Sequence, residues 1–372
     1  MRRLYFILAI LAHTQQLLSQ EYYLLVGTYD SPKSEGIHVY KFNSNDGSVK
    51  EISSIKTSNP SFIAISPDQN FVYAVHENGK DNKGGEVAAF TFNNKTGQLT
   101  FINQQSTGGD HPCYVETDKT GKWVFAGNYS SGSLSVFPVE ETGGLFPAGS
   151  VIQHTGFGKS LQRQQAPHVH CTLISPDNKF LFVPDLGIDK VMIYQFDTHT
   201  GKLTPGKQSF VPSEPGSGPR HFTFHPNNKY GYLIEELSGT VVAHKYKKGK
   251  LKRIQRISTM PAGDTSFAGS ADIHVSPDGK FLYASNRSNS NTIAIYSINN
   301  KGKLTLISHQ STLGKGPRNF NFDPSGTFLL TGNQNSDEIV IFKRDTLTGL
   351  LSDTGKRIAV GKPVCIKWIT MQ

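Results

Sequence analysis

One stretch of this chain, residues 276–298, reads SPDGKFLYASNRSNSNTIAIYSI. It combines a Ser-Pro-Asp-Gly turn, a strand pattern rich in aromatic residues, a polar turn and a second apolar strand pattern. The unit recurs with its turns 47 to 57 residues apart, at Ser66, Asp118, Ser175, His225, Ser276 and Asp323. A glycine-containing turn and a short fourth strand complete each unit, as at residues 97–100. Four short strands repeated about every 50 residues predict the blades of a β-propeller.

The six turns account for six blades, and the two ends of the chain supply a seventh. Residues 22–29, 37–42 and 49–53 match the second, third and fourth strands of the unit, but no innermost strand precedes them. Residues 363–366 resemble residues 60–63, where an innermost strand begins. We therefore predict an all-β, seven-bladed propeller with four antiparallel strands per blade. Pairing of the N- and C-terminal segments closes its ring and leaves no exposed sheet edge.

The composition fits this fold class. The chain has 372 residues, of which 10% are aromatic and 18% are charged, and this balance excludes a disordered chain and a coiled coil. The net charge of +9 favours anionic partners. Its lysines are scattered apart from a short run at residues 247–253, so nucleic acid binding is not indicated. Three cysteines without a CxxC spacing predict free, mostly buried thiols.

Residues 1–20 have the features of a secretory signal. Arg2 and Arg3 precede nine apolar residues at 4–12, a run too short to span a bilayer, and a polar segment follows. We expect cleavage near residue 20, one propeller domain over residues 21–372, and a mature protein that is exported to the periplasm or secreted and does not bind membranes. A buried N-terminal helix or an uncleaved anchor is the other interpretation of the segment, and a cytoplasmic location is the alternative.

A propeller brings the ends of its second strands and the starts of its innermost strands to one mouth of the central channel. Aligned repeats place polar residues at these strand ends in Thr28-Tyr29, His76-Glu77, Asn128-Tyr129, Asp185-Leu186, Glu235-Glu236, Asn286-Arg287 and Asn333-Gln334. The innermost strands start at Ser61, Cys113, His170, Arg220, Ala271 and Arg318. Recessed guanidinium and carboxylate groups cost desolvation energy unless they pair or bind a ligand. This mouth is therefore the predicted functional site.

Two further features belong near this mouth. His168 and His170 are two residues apart, so on a strand both imidazoles would lie on one face and contact a substrate. A shared metal ion and a purely structural pair are the alternatives, but no third ligand is visible at a suitable spacing, so no metal is expected. The loop from Gly143 to Gln165 is longer than the other connections, and its Arg163 could reach an anion or remain solvated.

Several motifs around the predicted mouth match a known family. They are Val26-Gly27-Thr28-Tyr29, Ser34-Glu35-Gly36-Ile37, Arg163-Gln164, Pro167-His168-Val169-His170, Gly218-Pro219-Arg220-His221, His225-Pro226, Glu235-Glu236, Ser285-Asn286-Arg287 and Gly316-Pro317-Arg318. The chain resembles the lactonases of the seven-bladed propeller type, which include bacterial 6-phosphogluconolactonases of that fold and fungal carboxy-muconate lactonising enzymes. The resemblance implies a catalytic His, Arg and Glu, which fall by motif on His170, Arg220 and Glu236, with Arg287 a looser match.

The resemblance implies a carboxylic ester hydrolase that opens a sugar lactone, with 6-phosphoglucono-1,5-lactone as the leading substrate. A lactone can be opened by water and a general base, so we expect no metal and no cofactor. Glu236 is the candidate base and His170 a candidate acid or base, although their roles could be reversed. Arg220 and Arg287 would hold an anionic group of the substrate or the developing oxyanion.

The remaining candidates are residues predicted to contact this anionic small molecule. They are His168, Arg163, His221, Glu235, Arg287, Arg318 and Asn128. Strand alternation would point Glu235 and Glu236 in opposite directions, so either could be the catalytic carboxylate. Two other functions stay open at this point, a muconate-type cycloisomerase that uses the same site and a propeller that binds partners without catalysis. An export signal is also unexpected for an enzyme with an intracellular, phosphorylated substrate.

Overall fold

The computed structural model describes residues 21–82 and 84–371, and the predicted signal segment at residues 1–20 lies outside the described residues. The described chain folds into seven four-stranded antiparallel sheets. The innermost strands of neighbouring sheets pack side by side around a central channel, so the sheets are the blades of a propeller. The predicted fold class is confirmed.

We number the blades from the one that contains the N-terminal strand and give each from its innermost to its outermost strand. Blade 1 is β28 (Pro363–Thr370), β1 (Glu21–Thr28), β2 (Ile37–Asn43) and β3 (Ser48–Ile55). Blade 2 is β4 (Ile63–Ile65), β5 (Phe71–His76), β6 (Glu86–Asn93) and β7 (Gln98–Ser106). Blade 3 is β8 (Pro112–Thr117), β9 (Trp123–Asn128), β10 (Ser133–Pro138) and β11 (Ser150–Gln153). Blade 4 is β12 (Leu173–Ile174), β13 (Phe180–Asp185), β14 (Lys190–Phe196) and β15 (Leu203–Pro212).

The last three blades follow the same plan without exception. Blade 5 is β16 (Pro219–Phe224), β17 (Tyr230–Glu235), β18 (Thr240–Lys247) and β19 (Lys250–Ser258). Blade 6 is β20 (Ser270–Val275), β21 (Phe281–Asn286), β22 (Thr292–Ile298) and β23 (Leu304–Ser311). Blade 7 is β24 (Pro317–Phe322), β25 (Phe328–Asn333), β26 (Glu338–Arg344) and β27 (Leu351–Ala359). Helical structure in the described residues is limited to one 3₁₀ turn, Lys80–Asn82. No helix within residues 21–82 and 84–371 is long and apolar enough to cross a membrane.

The two ends of the chain close the ring in blade 1. The C-terminal strand β28 pairs antiparallel with β1, which places Leu24 opposite Trp368 and Val26 opposite Ile366. Leu24, Val26 and Ile366 are buried in one cluster with apolar side chains of blade 7. The terminal segments therefore complete a sheet and also fill the hydrophobic interface between two blades, as the repeat alignment predicted.

The repeated Ser-Pro-Asp turn and the aromatic strand after it have structural roles. Oγ of Ser276 donates a hydrogen bond to Asp278 at 2.6 Å and accepts one from the backbone N–H of Phe281 at 3.1 Å, which fixes the turn. The hydroxyl of Tyr283 donates to the carbonyl of Gly349 at 2.6 Å, in a turn of the next blade. Equivalent pairs elsewhere are Tyr73 with Gly143 and Tyr232 with Gly302. These tyrosines tie neighbouring blades together and do not reach the channel mouth.

The connection between blades 3 and 4 differs from the prediction. The segment 143–165, predicted to be one long loop, contains the outermost strand β11 of blade 3. The irregular connection therefore starts at residue 154 and continues to β12, which has only two residues. His168 and His170 lie in this irregular part, on either side of Val169, which forms an isolated bridge with Asp185.

The central channel is narrow in its middle. A void of only about 10 Å³ separates the cavity at one mouth from a smaller opening of about 210 Å³ at the other. The side chains around the narrow part include Cys113, His170, Arg220, His221 and Arg318. The three cysteines of the chain are all buried and free, as predicted.

Candidate active site

A cavity of about 600 Å³ opens at the mouth of the channel where the second strands end. We call it the mouth pocket. Its walls are built by the ends of second strands, the starts of innermost strands and the connections between blades. The carboxylate, guanidinium and imidazole groups of its lining belong to Glu77, Arg163, His170, Glu236, Arg287 and Arg318.

Two consecutive rings of residues surround this mouth. The last residue of each second strand is buried inside its blade, and we call these seven residues the terminal ring: Thr28, His76, Asn128, Asp185, Glu235, Asn286 and Asn333. The residue that follows each of them belongs to the mouth ring: Tyr29, Glu77, Tyr129, Leu186, Glu236, Arg287 and Gln334. All members of the mouth ring except Leu186 line the mouth pocket. Successive side chains of a strand point to opposite faces, so neighbours in sequence fall into different rings.

Glu236 is the centre of a buried charge cluster. Its Oε1 accepts a hydrogen bond from Nη2 of Arg163 at 2.8 Å, and its Oε2 accepts one from Nε of Arg220 at 2.8 Å. Nη2 of Arg287 lies 3.0 Å from the same Oε2. Burial alone would raise the pKa of the Glu236 carboxyl, but the guanidiniums of Arg287, Arg220 and Arg163 outweigh it and lower this pKa to about 2. The carboxylate is therefore ionised and bound by three cations.

The opposite wall carries a second and looser cluster. The hydroxyl of Tyr29 donates a hydrogen bond to Oε2 of Glu77 at 2.7 Å. The guanidinium of Arg318 lies over the Tyr29 ring, with Cζ 5.3 Å from the ring centre. Its Nη2 is 3.9 Å from Oε2 of Glu77, which is beyond hydrogen-bonding distance. Around the pocket, four guanidinium groups thus face two carboxylates, and the excess charge is positive.

His170 projects between these two clusters as a neutral ring. Burial is the main factor that holds its pKa well below the ordinary value, and the cations of Arg220 and Arg318 add to the effect. Its Nδ1 lies 3.6 Å from Sγ of Cys113. None of the hydrogen bonds between described residues involves its Nε2. An unprotonated imidazole with one nitrogen open to a pocket can accept a proton from water.

The connection 154–172 carries Arg163 to the rim of the pocket. Nε2 of Gln164 anchors this segment by donating to the carbonyl of Leu186 and to Asp189, both at 2.7 Å. Nη2 of Arg163 then reaches the Tyr129 hydroxyl at 3.1 Å as well as Glu236. The buried amide of Gln164, bound to the turn between the second and third strands of blade 4, therefore fixes the position of the neighbouring Arg163 side chain, which is 37% exposed.

The structure brings five of the predicted site residues together in the mouth pocket: Arg163, His170, Glu236, Arg287 and Arg318. Arg220 lies directly beneath them, 1% exposed, with its guanidinium on Glu236 and on the carbonyl of Ala271. It was predicted to hold an anionic group of the substrate or the oxyanion. Its burial under Glu236 prevents direct contact with a ligand in the pocket.

Four other predicted substrate contacts lie outside the pocket. Asn128 donates to Ser133 and Ser135 inside blade 3, and Glu235 is held by Arg256, Ser238 and Thr240 inside blade 5. His221 lies deeper in the channel, where its Nδ1 is 2.8 Å from Oδ1 of Asp272. His168 stacks on the far face of Tyr129 with ring centres 4.5 Å apart. The alternation of the strand places Asn128 and Glu235 outside the pocket. His168 and His170 both contact the Tyr129 ring, but only His170 lines the pocket.

Among the pocket residues that were not selected from the sequence, three have side chains in contact with the charged groups of the site: Tyr29, Glu77 and Tyr129. Each was present in the aligned pairs at the strand ends. Their place as the second residue of an aligned pair would have identified them, because the second member of every pair belongs to the mouth ring. The sequence prediction had instead favoured charged residues, above all the arginines.

No built metal site accompanies these groups. Among the described residues, no group of three or more His, Cys, Asp and Glu side chains is arranged to hold a metal ion. Nδ1 of His168 is 2.9 Å from the carbonyl oxygen of Tyr129, so this ring nitrogen is already paired with the backbone. Metal-independent catalysis stays a prediction, which a chelator tests directly.

Comparison with known proteins agrees with this geometry. The chain is 40% identical to a 6-phosphogluconolactonase of Formosa agariphila, over 93% of this chain and 99% of the relative. It is 37% identical to a 6-phosphogluconolactonase of Bacillus subtilis, over 92% and 97%. The solved structure of a periplasmic gluconolactonase, PpgL, of Pseudomonas aeruginosa superimposes with a TM-score of 0.90 at 38% identity, over 95% of this chain and all of that one. The family model of the seven-bladed β-propeller lactonases matches residues 23–368, and the chain belongs to that lactonase family.

Proposed function

We propose that the protein hydrolyses 6-phosphoglucono-1,5-lactone to 6-phosphogluconate. Membership of the lactonase family and the names of the two relatives support the reaction type and the sugar. The observation that carries the choice of a phosphorylated substrate is the charge of the mouth pocket. Three guanidinium groups line the pocket and that of Arg220 lies beneath it, and against two carboxylates they leave an excess of positive charge that suits a phosphate ester.

His170 is the better general base of the two candidates. Glu236 was the candidate base in the sequence, but a carboxylate with a pKa of about 2 that binds three guanidiniums has little tendency to take a proton. His170 lines the pocket, and its Nε2 takes part in none of the hydrogen bonds between described residues. Burial and nearby cations also lower the pKa of His170, so the choice rests on this unpaired nitrogen and not on basicity. A general base of this kind contributes about two to four orders of magnitude in rate.

The reaction then needs only groups of this chain and water. His170 takes a proton from the attacking water as its oxygen bonds to the lactone carbonyl carbon, and negative charge develops on the carbonyl oxygen. The guanidiniums of Arg287 and Arg163 line the same pocket as His170 and stabilise this charge. Collapse breaks the bond between the carbonyl carbon and the ring oxygen, and the protonated imidazole returns its proton to the ring oxygen, which leaves as the sugar hydroxyl.

Glu236 has a positioning role in this scheme. Its two oxygens hold Arg163, Arg220 and Arg287 at fixed places while the substrate is absent. Without this carboxylate, the buried guanidiniums would repel one another and lose their alignment. Preorganised cations need no reorganisation when charge develops, which is the main source of electrostatic catalysis.

A substrate panel tests the proposal. Purified protein without residues 1–20 is assayed with 6-phosphoglucono-1,5-lactone, glucono-1,5-lactone and a carboxylated muconate, with spontaneous hydrolysis subtracted. We expect kcat/KM for the phosphorylated lactone to exceed that for the plain lactone at least tenfold, and activity to survive a chelator. Conversion of the muconate without lactone hydrolysis would identify a cycloisomerase, and inertness toward all three would favour a binding module.

A second candidate is hydrolysis of unphosphorylated glucono-1,5-lactone outside the cytoplasm. Residues 1–20 resemble a secretory signal, and a relative at 38% identity is described as a periplasmic gluconolactonase. An exported enzyme would not meet a sugar phosphate that is made inside the cell. Fractionation of cells that express a C-terminally tagged chain, with and without residues 1–20, tests this alternative, because export together with a preference for the plain lactone would replace the first proposal.

A further inference from the structure

The four guanidinium groups of the site differ in how many of their N–H donors form hydrogen bonds within the protein. Arg163 binds Glu236 and Tyr129, Arg220 binds Glu236 and a backbone carbonyl, and Arg287 binds Glu236 and the carbonyl of Gly269. Arg318 makes none of the hydrogen bonds between described residues. Its nearest carboxylate oxygen is the 3.9 Å contact with Glu77. One of four cations therefore has its donors available.

Arg318 is nevertheless held firmly. It stands near the start of the innermost strand β24 and is only 16% exposed. The Tyr29 ring supports one face of its guanidinium, and such stacking fixes the plane of the group without using its N–H donors. The guanidinium is partly buried and faces the pocket, so its donors are available to an anionic ligand.

The neighbours of Arg318 in the pocket add neutral donors. Gln334 and Asn335 line the same cavity, with the Asn335 side chain against Gly316 and the backbone N–H of Gln334 bonded to the Gly316 carbonyl at 3.0 Å. Glu77 is the single acidic group here, and its Oε2 already accepts the hydrogen bond of the Tyr29 hydroxyl. A planar guanidinium fork flanked by amides suits a tetrahedral oxyanion with several acceptor oxygens.

We propose that Arg318, with Gln334 and Asn335, forms the subsite that binds the phosphate ester of the substrate. The identity of the ester rests on the proposed function, whereas the anion preference rests on the arrangement of these groups. Arg318 belongs to blade 7 and His170 to blade 4, which are as far apart as two blades of this ring can be. Both side chains nevertheless border the narrow part of the channel, so a substrate bound at Arg318 has only a short distance to span before its lactone end meets His170. Arg163 and Arg287 line the same pocket.

The test separates phosphate binding from general damage to the site. Arg318→Gln keeps a polar side chain and removes the charge, and Arg318→Lys keeps the charge and removes the fork. Arg357→Gln is the matched control, because it also removes one positive charge but lies on the outermost strand of blade 7, paired with Asp353. KM and kcat are measured for the phosphorylated and the plain lactone, and inorganic phosphate is tested as a competitive inhibitor of both.

We expect Arg318→Gln to raise KM for the phosphorylated lactone about 10- to 100-fold, as for the loss of a charge-assisted contact. KM for the plain lactone should change less than about threefold, inhibition by inorganic phosphate should weaken in parallel, and Arg318→Lys should be intermediate. Arg357→Gln should match the wild type. Equal losses with both lactones, or unchanged inhibition by phosphate, would overturn the subsite.

The outcomes also separate this inference from the proposed function. If the wild type shows no preference for the phosphorylated lactone, the proposed function fails, but loss of phosphate inhibition in Arg318→Gln would still support the anion subsite. If the wild type has the preference and Arg318→Gln keeps it, the subsite fails and the proposed function stands. Should Arg318→Gln not fold, Arg318→Lys and the thermal stabilisation of both proteins by inorganic phosphate decide between the same outcomes.

Discussion

The terminal ring and the mouth ring are one residue apart in every blade, yet their side chains have different roles. Terminal-ring side chains are buried and bind the strands and turns of their own blade, as Asn286 does with Thr259, Ser270 and Thr292. Mouth-ring side chains other than Leu186 line a cavity, where they can meet residues of other blades, as Glu236 does with Arg163 and Arg287. Both rings are polar, so polarity alone cannot distinguish a structural from a functional residue here.

The direction of the side chain decides whether a residue at the strand end has a structural or a functional role. The strand ends at the terminal-ring residue, whose backbone still pairs with the neighbouring strand, and the chain turns away at the mouth-ring residue. A pair of identical residues, Glu235 and Glu236, falls across this boundary. Substitutions in one ring should therefore affect stability, and substitutions in the other should affect catalysis.

The largest expected effect comes from the two histidines of blade 4. His170→Ala should lower kcat by about two to four orders of magnitude, because it removes the proposed general base. His168→Ala should lower kcat less than about tenfold, since its ring stacks behind Tyr129 and does not line the pocket. Steady-state assays with the phosphorylated lactone measure both. A larger loss in His168→Ala than in His170→Ala would reverse the assignment.

The adjacent glutamates give the sharpest version of the comparison. Glu236→Gln should lower kcat/KM about 100-fold and destabilise the fold by about 3–5 kcal/mol, because three guanidiniums lose their buried counter-charge. Glu235→Gln should leave kcat/KM within about threefold and destabilise by about 1–3 kcal/mol, since Arg256 and Thr240 lose an acceptor inside blade 5. Kinetics and urea unfolding of both variants at pH 7 provide the measurements, and equal kinetic losses would mean that the rings are not functionally distinct.

Lowering the pH should remove the contribution of the Glu236 carboxylate to the free energy of unfolding. Its folded-state pKa of about 2 lies below its ordinary value of 4.5, so the ionised carboxylate stabilises the fold above about pH 4.5, and this stability is lost as the pH falls toward 2. The difference between these two pKa values corresponds to about 3 kcal/mol in the free energy of unfolding. The gap in unfolding free energy between the wild type and Glu236→Gln should therefore narrow between pH 5 and pH 2.5. If the difference in unfolding free energy between the two proteins stays constant with pH, the charge of Glu236 is not its cause.

The sequence predicted the architecture because the propeller repeats its turns and aromatic strands. Ser276 and Tyr283 recur with local roles, a turn and a link between blades, so each copy reports the same structure. The closure by β28 followed from the absence of one strand at the N-terminus and the surplus of one at the C-terminus. Local signals of this kind need no knowledge of tertiary contacts.

The site was predicted only in part, because its chemistry depends on contacts between blades. The alignment placed Glu236, Arg287 and Arg318 at one mouth, but it could not show that Arg220 lies beneath Glu236 or that three guanidiniums share one carboxylate. Because these guanidiniums occupy both carboxylate oxygens of Glu236, the proposed mechanism gives the role of base to His170. The sequence also had no local signal that His168 and His170 both pack on the Tyr129 ring while only His170 lines the pocket.

The smallest expected effect lies in the terminal ring at Asn128, which was predicted as a substrate contact. Its Nδ2 donates to Ser133 at 3.0 Å and to Ser135 at 3.1 Å, and the side chain is fully buried in blade 3. Asn128→Ala should lower the free energy of unfolding by about 1–3 kcal/mol, because two buried hydroxyls lose a partner. KM and kcat for both lactones should stay within about twofold of the wild type. Because Asn128 immediately precedes Tyr129 of the mouth ring, a change in KM without a change in stability would show that the strand end transmits strain to the pocket and that the two rings are coupled.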